Sequence, residues 1–121
     1  MSWIAIVDDD PSVLKALARL LRAHGFQTRR FGSGHDFLAA SSEGPPECLI
    51  LDLQRPEMNG LELHQHLTLR GIEIPTIIIT DQDNMDTRQR CETAGTVDYL
   101  FKPLQDKVLL ATIAKARGHA G

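Results

Sequence analysis

The chain has 121 residues, 42% of them apolar and 24% charged, with a formal net charge of −3. This is one domain with enough side chains for a real core, and its charge gives no reason to expect direct binding of nucleic acid. No apolar run approaches the roughly 20 residues of a membrane span. Met1-Ser2-Trp3 runs into a strand with no basic n-region, and Cys48 and Cys91 have no paired spacing, so a cytoplasmic chain with reduced, buried thiols is expected.

In chain order, Trp3 to Val7 is a continuous apolar run that ends in Asp8-Asp9-Asp10. Asp10 is a good N-cap and Pro11 a good first helical residue. Val13, Leu14, Leu17, Leu20 and Leu21 then recur at helical spacing until Gly25. A second strand is predicted over Phe26 to Phe31, less apolar and so at a sheet edge. A second helix is predicted from Ser33 to about Ser42, with Phe37, Leu38 and Ala39 inward.

Cys48 to Leu53 is apolar except at Asp52, and it is bounded by Pro45-Pro46 before and by Pro56 and Gly60 after. It reads as a strand buried on both faces. An ionised carboxylate inside such a strand is costly, so Asp52 belongs at its carboxyl end, where open α/β sheets place their ligand crevices. Taken alone, Asp52 reads equally well as a cap for the loop that follows.

A third helix runs through Leu61, Leu63 and Leu67 to near Gly71, and the β-branched run Pro75 to Thr80 is the clearest strand. Residues 84 to 95 look helical with a thin apolar stripe of Met85, Cys91 and Ala94. Val97 to Phe101 is a fifth strand, and residues 105 to 117 a last helix through Val108, Leu109, Leu110, Ile113 and Ala114.

Five alternations of strand and helix argue for a parallel sheet covered on both faces. A flavodoxin-like (βα)5 doubly wound fold with strand order 2-1-3-4-5 is the expectation, its switch point between the first and third strands. Asp8, Asp9 and Asp52 then converge on one crevice, with Thr80 and Lys102 at the ends of the neighbouring strands. Carboxylates gathered in this way repel unless a cation joins them, and hard oxygen ligands describe a Mg²⁺ site. Lys102 suits a phosphate or a pairing with Asp52, and Thr80 supplies a hydroxyl. A nucleophilic carboxylate, a metal and two donors together suit phosphoryl transfer through an aspartyl phosphate. The blander reading makes these five residues unrelated polar strand ends.

Asp8-Asp9, Asp52, Thr80 and Lys102-Pro103 resemble the signature of the receiver domain of two-component response regulators, over essentially the whole chain. Arg55 to Gly60 and Ala94 to Tyr99 also match the family's habit, and Ala94 to Pro103 is similar to receivers of the FixJ/NarL kind. The resemblance implies that Asp52 accepts a phosphoryl group from a histidine kinase. Asp9 would bind Mg²⁺ directly, Asp8 would hold a metal-bound water, and the backbone carbonyl of Gln54 would complete the site. Lys102 would contact the phosphoryl oxygens and precede Pro103 through a cis peptide bond. Thr80 would move to the phosphoryl group, with Tyr99 swinging inward behind it. An output domain of the helix-turn-helix DNA-binding kind is implied outside this chain. Residues 117 to 121 read as the start of a linker to it, although a single-domain regulator spanning 1–121 fits the sequence as well. A homodimer through residues 84 to 117 is implied too.

The sequence departs from the family at Asp81, where a small residue is usual. Pointing inward, Asp81 would oppose an incoming phosphoryl group and favour a second reading, an unphosphorylated interaction module. Pointing outward, it is a solvated loop residue or a helix cap. Gln54 and Gln82 are expected to tune how fast water removes the phosphoryl group. A haloacid-dehalogenase-type enzyme wants a second acid two residues after its Asp, where this chain has Gln54. His64 and His66 are two apart on a helix and make a poor metal pair, while His24, His35 and His119 are expected in solvent. Residues 84 to 95 bury so little apolar area that this helix is expected to shift on phosphorylation, with altered amide exchange across 84 to 101.

Overall fold

The computed structural model describes residues 3–40, 44–53, 60–81 and 85–119. Strands β1 (Ile4–Val7), β2 (Thr28–Phe31), β3 (Cys48–Asp52), β4 (Thr76–Thr80) and β5 (Asp98–Phe101) alternate with helices α1 (Pro11–Ala23), α2 (Gly34–Ala39), α3 (Gly60–Leu69), α4 (Met85–Ala94) and α5 (Asp106–His119). All strand pairings are parallel, in the order β2-β1-β3-β4-β5, as the alternation of elements predicts.

Period-two alternation along the strands divides the core into two layers. Ile4, Ile6, Ile50, Ile77 and Ile79 meet Leu17 and Leu21 of α1 and Leu109 and Ile113 of α5. Ala5, Val7, Leu49, Leu51 and Ile78 turn the other way, towards Phe37, Leu63, Leu67 and Cys91. β1, β3 and β4 are buried along their whole length, which is why they read as continuous apolar runs rather than alternating ones. At the sheet edge, Arg29 and Arg30 of β2 are exposed.

Local chemistry sets the helix starts. Asp10 caps α1, its carboxylate accepting from the Ser12 N–H at 2.9 Å with Pro11 at the first position. Ser33 caps α2 by accepting from the Asp36 N–H at 3.0 Å. Gly95, at φ +83°, takes the left-handed conformation that ends α4 and turns the chain towards β5.

The structure corrects several expected details. β2 starts at Thr28 rather than Phe26, and β5 at Asp98 rather than Val97. α5 presents Leu109, Thr112, Ile113 and Ala116 to the core, whereas Val108 is 45% exposed and Ala114 is exposed. Positions 109, 113 and 116 recur at helical spacing, and Val108 lies about 100° away from Leu109 around the axis. Met85, expected in the inward stripe of α4, is 78% exposed.

Candidate functional site

The carboxyl ends of four strands deliver the polar residues to one edge of the sheet. Asp8 follows β1, Asp52 is the last residue of β3, Thr80 the last of β4, and Lys102 follows β5. Register holds these ends level. Asp52 lies beside Ile79, and Thr80 lies beside Phe101. The Lys102 N–H donates to the Thr80 carbonyl at 2.7 Å, the Leu53 N–H to the Ile79 carbonyl at 2.8 Å, and the Asp8 N–H to the Phe31 carbonyl at 3.1 Å. Buried strands thus fix the backbone beneath the site, so the side chains start from set positions.

Asp8, Asp9 and Asp52 each offer a carboxylate oxygen within 4.8 Å of the others. Their environments differ. Asp8 has no exposed surface, Asp52 is 5% exposed and Asp9 is exposed. Both oxygens of Asp8 are engaged: one accepts from the Asp10 N–H at 2.9 Å, and the other lies 3.2 Å from Lys102 Nζ. Lys102 also reaches an Asp52 oxygen at 3.5 Å. It therefore bridges two carboxylates and sits closer to Asp8 than to the Asp52 partner expected from sequence. Burial by itself lowers the pKa of the Lys102 ammonium, but the charges of Asp52 and Asp8, with their hydrogen bonds, outweigh burial and hold it above its ordinary value.

Three carboxylates face one ammonium here, a local charge of −2. The donor set is all oxygen, compact and strongly negative, which fits a small hard divalent cation such as Mg²⁺. Asp9, the exposed member, is the one with a carboxylate open to solvent.

The other residues singled out from sequence fall as follows. Thr80 is fully buried, and Tyr99 is half-buried at the edge of the α3–α4 layer. The peptide bond between Lys102 and Pro103 is cis. Asp81 is exposed, the outward arrangement of the two considered. Gln54 and Gln82 lie outside the described residues. His64 is half-buried, and burial lowers its pKa, while His66, His24 and His35 are exposed.

Two contacts escaped the sequence reading. One is the Asp8–Lys102 pair, which joins residues 94 positions apart. The other is Arg88, whose guanidinium lies over the rings of Tyr99 and Phe101. The available signal was spacing, because Arg88 is three residues before Cys91 and so lies next to it on the helix surface, exposed itself but within reach of β5.

Residues 4–114 match the family model described as the response regulator receiver domain. The chain belongs to that family. Among curated relatives, the response regulator protein TmoT of Ectopseudomonas mendocina is 37% identical over 115 residues, 95% of this chain and 52% of that protein. The transcriptional regulatory protein FixJ of Rhizobium meliloti is 35% identical over 116 residues, 96% of this chain and 57% of that protein. The crystal structure of FixJ-N superposes with a TM-score of 0.90 at 34% identity, covering 98% of this chain and 95% of that one. The chain spans little more than half the length of TmoT and FixJ. It is the receiver domain of a two-component response regulator. Among the described residues of this receiver domain, no helix is long and apolar enough to cross a membrane.

Proposed function

We propose that this receiver domain takes a phosphoryl group on Asp52 from a histidine kinase and promotes both that transfer and the later hydrolysis of the acyl phosphate. In that hydrolysis water takes the phosphoryl group as inorganic phosphate and frees the Asp52 carboxylate. The carrying observation is the convergence of Asp8, Asp9 and Asp52 within 4.8 Å, with Lys102 bridging two of them. An Asp52 oxygen attacks phosphorus; the O–P bond forms as the P–N bond of the kinase's phosphohistidine breaks. The bonding pair passes to the imidazole nitrogen, which takes up a proton from solvent. Strand β3 holds Asp52 so that this step needs little reorganisation, and Lys102 sits where phosphoryl oxygens gain negative charge. Thr80, one strand away, supplies a hydroxyl for a phosphoryl oxygen.

Mg²⁺ bound by Asp9 and Asp52, with Asp8 outside them and the Gln54 carbonyl completing the set, would neutralise the repulsion between anionic acceptor and anionic donor. Both oxygens of Asp8 already have partners, which supports its reading as the outer member. Tyr99 follows Thr80 when the phosphoryl group arrives, and the face over residues 84 to 101 carries the signal. In the full-length regulator, that signal passes in the cytoplasm to a helix-turn-helix DNA-binding domain that controls transcription, with pairing of two receivers through residues 84 to 117.

Incubation with acetyl phosphate and Mg²⁺, read by intact mass, tests this. One added phosphoryl group is expected, absent from Asp52→Asn and from an EDTA-treated sample. Labelling that persists in Asp52→Asn would place the acceptor elsewhere.

A further inference from the structure

α4 is held to the sheet by little apolar surface. Cys91 is its buried residue among those described, Met85 at its start is 78% exposed, and Ala94 at its end is half-buried. Beside it lies a cavity of about 310 Å³, lined in part by Arg88, Cys91, Tyr99 and Lys115. Close packing is therefore not what fixes this helix.

Arg88 supplies a different attachment. Its guanidinium carbon lies 5.6 Å from the centroid of Tyr99 and 5.5 Å from that of Phe101. The two rings themselves meet edge to face at 5.3 Å. Both guanidinium separations are within the roughly 6 Å over which a cation is drawn to a ring, so one charge serves two rings set nearly at right angles. These rings belong to the strand that serves the site. Phe101 is the register partner of Thr80 and directly precedes Lys102. The Lys102 N–H holds the Thr80 carbonyl at 2.7 Å, and its Nζ reaches Asp8 and Asp52.

We propose that Arg88 is a positioning residue for phosphoryl transfer: its guanidinium clamps α4 to Tyr99 and Phe101, so that docking of the helix holds back movement of the strand carrying Lys102 towards the site. This rests on Asp52 being the phosphoryl acceptor. Coupling of this kind is reciprocal. A phosphoryl group that draws Lys102 and Thr80 towards itself loosens α4, and a loosened α4 lets the site close on the phosphoryl group more readily. A partly exposed cation–π contact corresponds to about a two- to five-fold change in such an equilibrium.

Tyr99 is the sole tyrosine of the chain, so the full chain grown with 3-fluorotyrosine gives a single ¹⁹F resonance from this position. Wild type, Arg88→Ala and Arg88→Lys are compared for that resonance, for amide exchange across residues 85 to 94, and for the rate of labelling by acetyl phosphate with Mg²⁺. Arg88→Ala is expected to move the resonance, to speed amide exchange about two- to five-fold, and to raise the labelling rate by a similar factor. Arg88→Lys keeps the charge without the broad guanidinium and should fall between. A resonance and exchange pattern unchanged in Arg88→Ala overturns the clamp. A changed pattern with an unchanged labelling rate overturns its coupling to the site. Should wild type take no phosphoryl group, the acceptor reading fails instead, and coupling is decided by Mg²⁺ affinity: a shifted midpoint in Arg88→Ala supports it, and an identical midpoint overturns it.

Discussion

Neutralising Asp52 should make the metal-free domain more stable, although it removes the proposed phosphoryl acceptor. In the wild type, Asp52 lies within 4.8 Å of Asp8 and Asp9 and 3.5 Å from Lys102. At an effective dielectric of about 20, the repulsion from Asp8 is roughly 3.5 kcal/mol and the attraction to Lys102 roughly 4.7 kcal/mol. Asp9 adds a further repulsion, weakened because it faces solvent. Burial of a charge at 5% exposure adds a desolvation cost that an amide largely escapes. The first two terms leave a net attraction of about 1.2 kcal/mol. A combined cost of about 2–3 kcal/mol from Asp9 and desolvation outweighs it, so Asp52→Asn should be more stable by about 1–2 kcal/mol, a rise in melting temperature of roughly 4–8 °C for a domain of this size. The assay is thermal unfolding in EDTA and again in Mg²⁺. Mg²⁺ at ten times its dissociation constant should stabilise wild type by about 1.4 kcal/mol and the variant by clearly less, so that the gap narrows. A variant that melts at or below wild type in EDTA, or equal Mg²⁺ gains in both, would refute the idea that uncompensated carboxylate charge sits at this site.

Lys102→Ala should do the opposite, because it leaves the fully buried Asp8 without its counter-charge; we expect a loss of about 3 kcal/mol in EDTA, partly restored by Mg²⁺, by the same melting assay. Asp81→Ala should change the acetyl phosphate labelling rate by less than about twofold, since its carboxylate is exposed and screened; a severalfold gain would show that Asp81 restrains the site after all. The Cys48 thiol is pushed up to about 12, chiefly by burial, with the charge of Glu47 adding to it. Its folded pKa lies above the ordinary 9.0, so its contribution to stability is complete below pH 9 and is lost as pH rises towards 12, by up to about 1.4 kcal/mol per pH unit. Denaturation midpoints between pH 8 and 10.5 should show that decline in wild type and a shallower one in Cys48→Ala.

Much of this molecule is legible in its sequence because burial on both faces leaves an unmistakable mark. β1, β3 and β4 are continuous apolar runs, and in parallel strands of this kind a polar residue at the end lands on the ligand edge. That reasoning places Asp8, Asp52 and Thr80 without coordinates, and right-handed crossovers leave few orders for the strands. Helix faces were less legible where composition gave no contrast. In α5 the apolar cluster Val108-Leu109-Leu110 offers three neighbouring candidates for one inward position, and only docking against β3 and β4 selects Leu109. In α4 the stripe was thin, and Met85 at its start is exposed, which leaves Cys91 and Ala94 to face inward.

The sequence by itself determined the alternating α/β fold and the edge at which the acidic residues gather, since both follow from periodicity. It also narrowed the strand order to the few that right-handed crossovers allow, among which the short chain favours 2-1-3-4-5. The tertiary structure decided which charges meet. Lys102 comes to rest nearer Asp8 than Asp52, and Arg88 reaches across to Tyr99 and Phe101. Such contacts depend on sub-ångström placement of long side chains from distant segments, and coulombic and cation–π terms change within that distance, so no pattern along the chain encodes them.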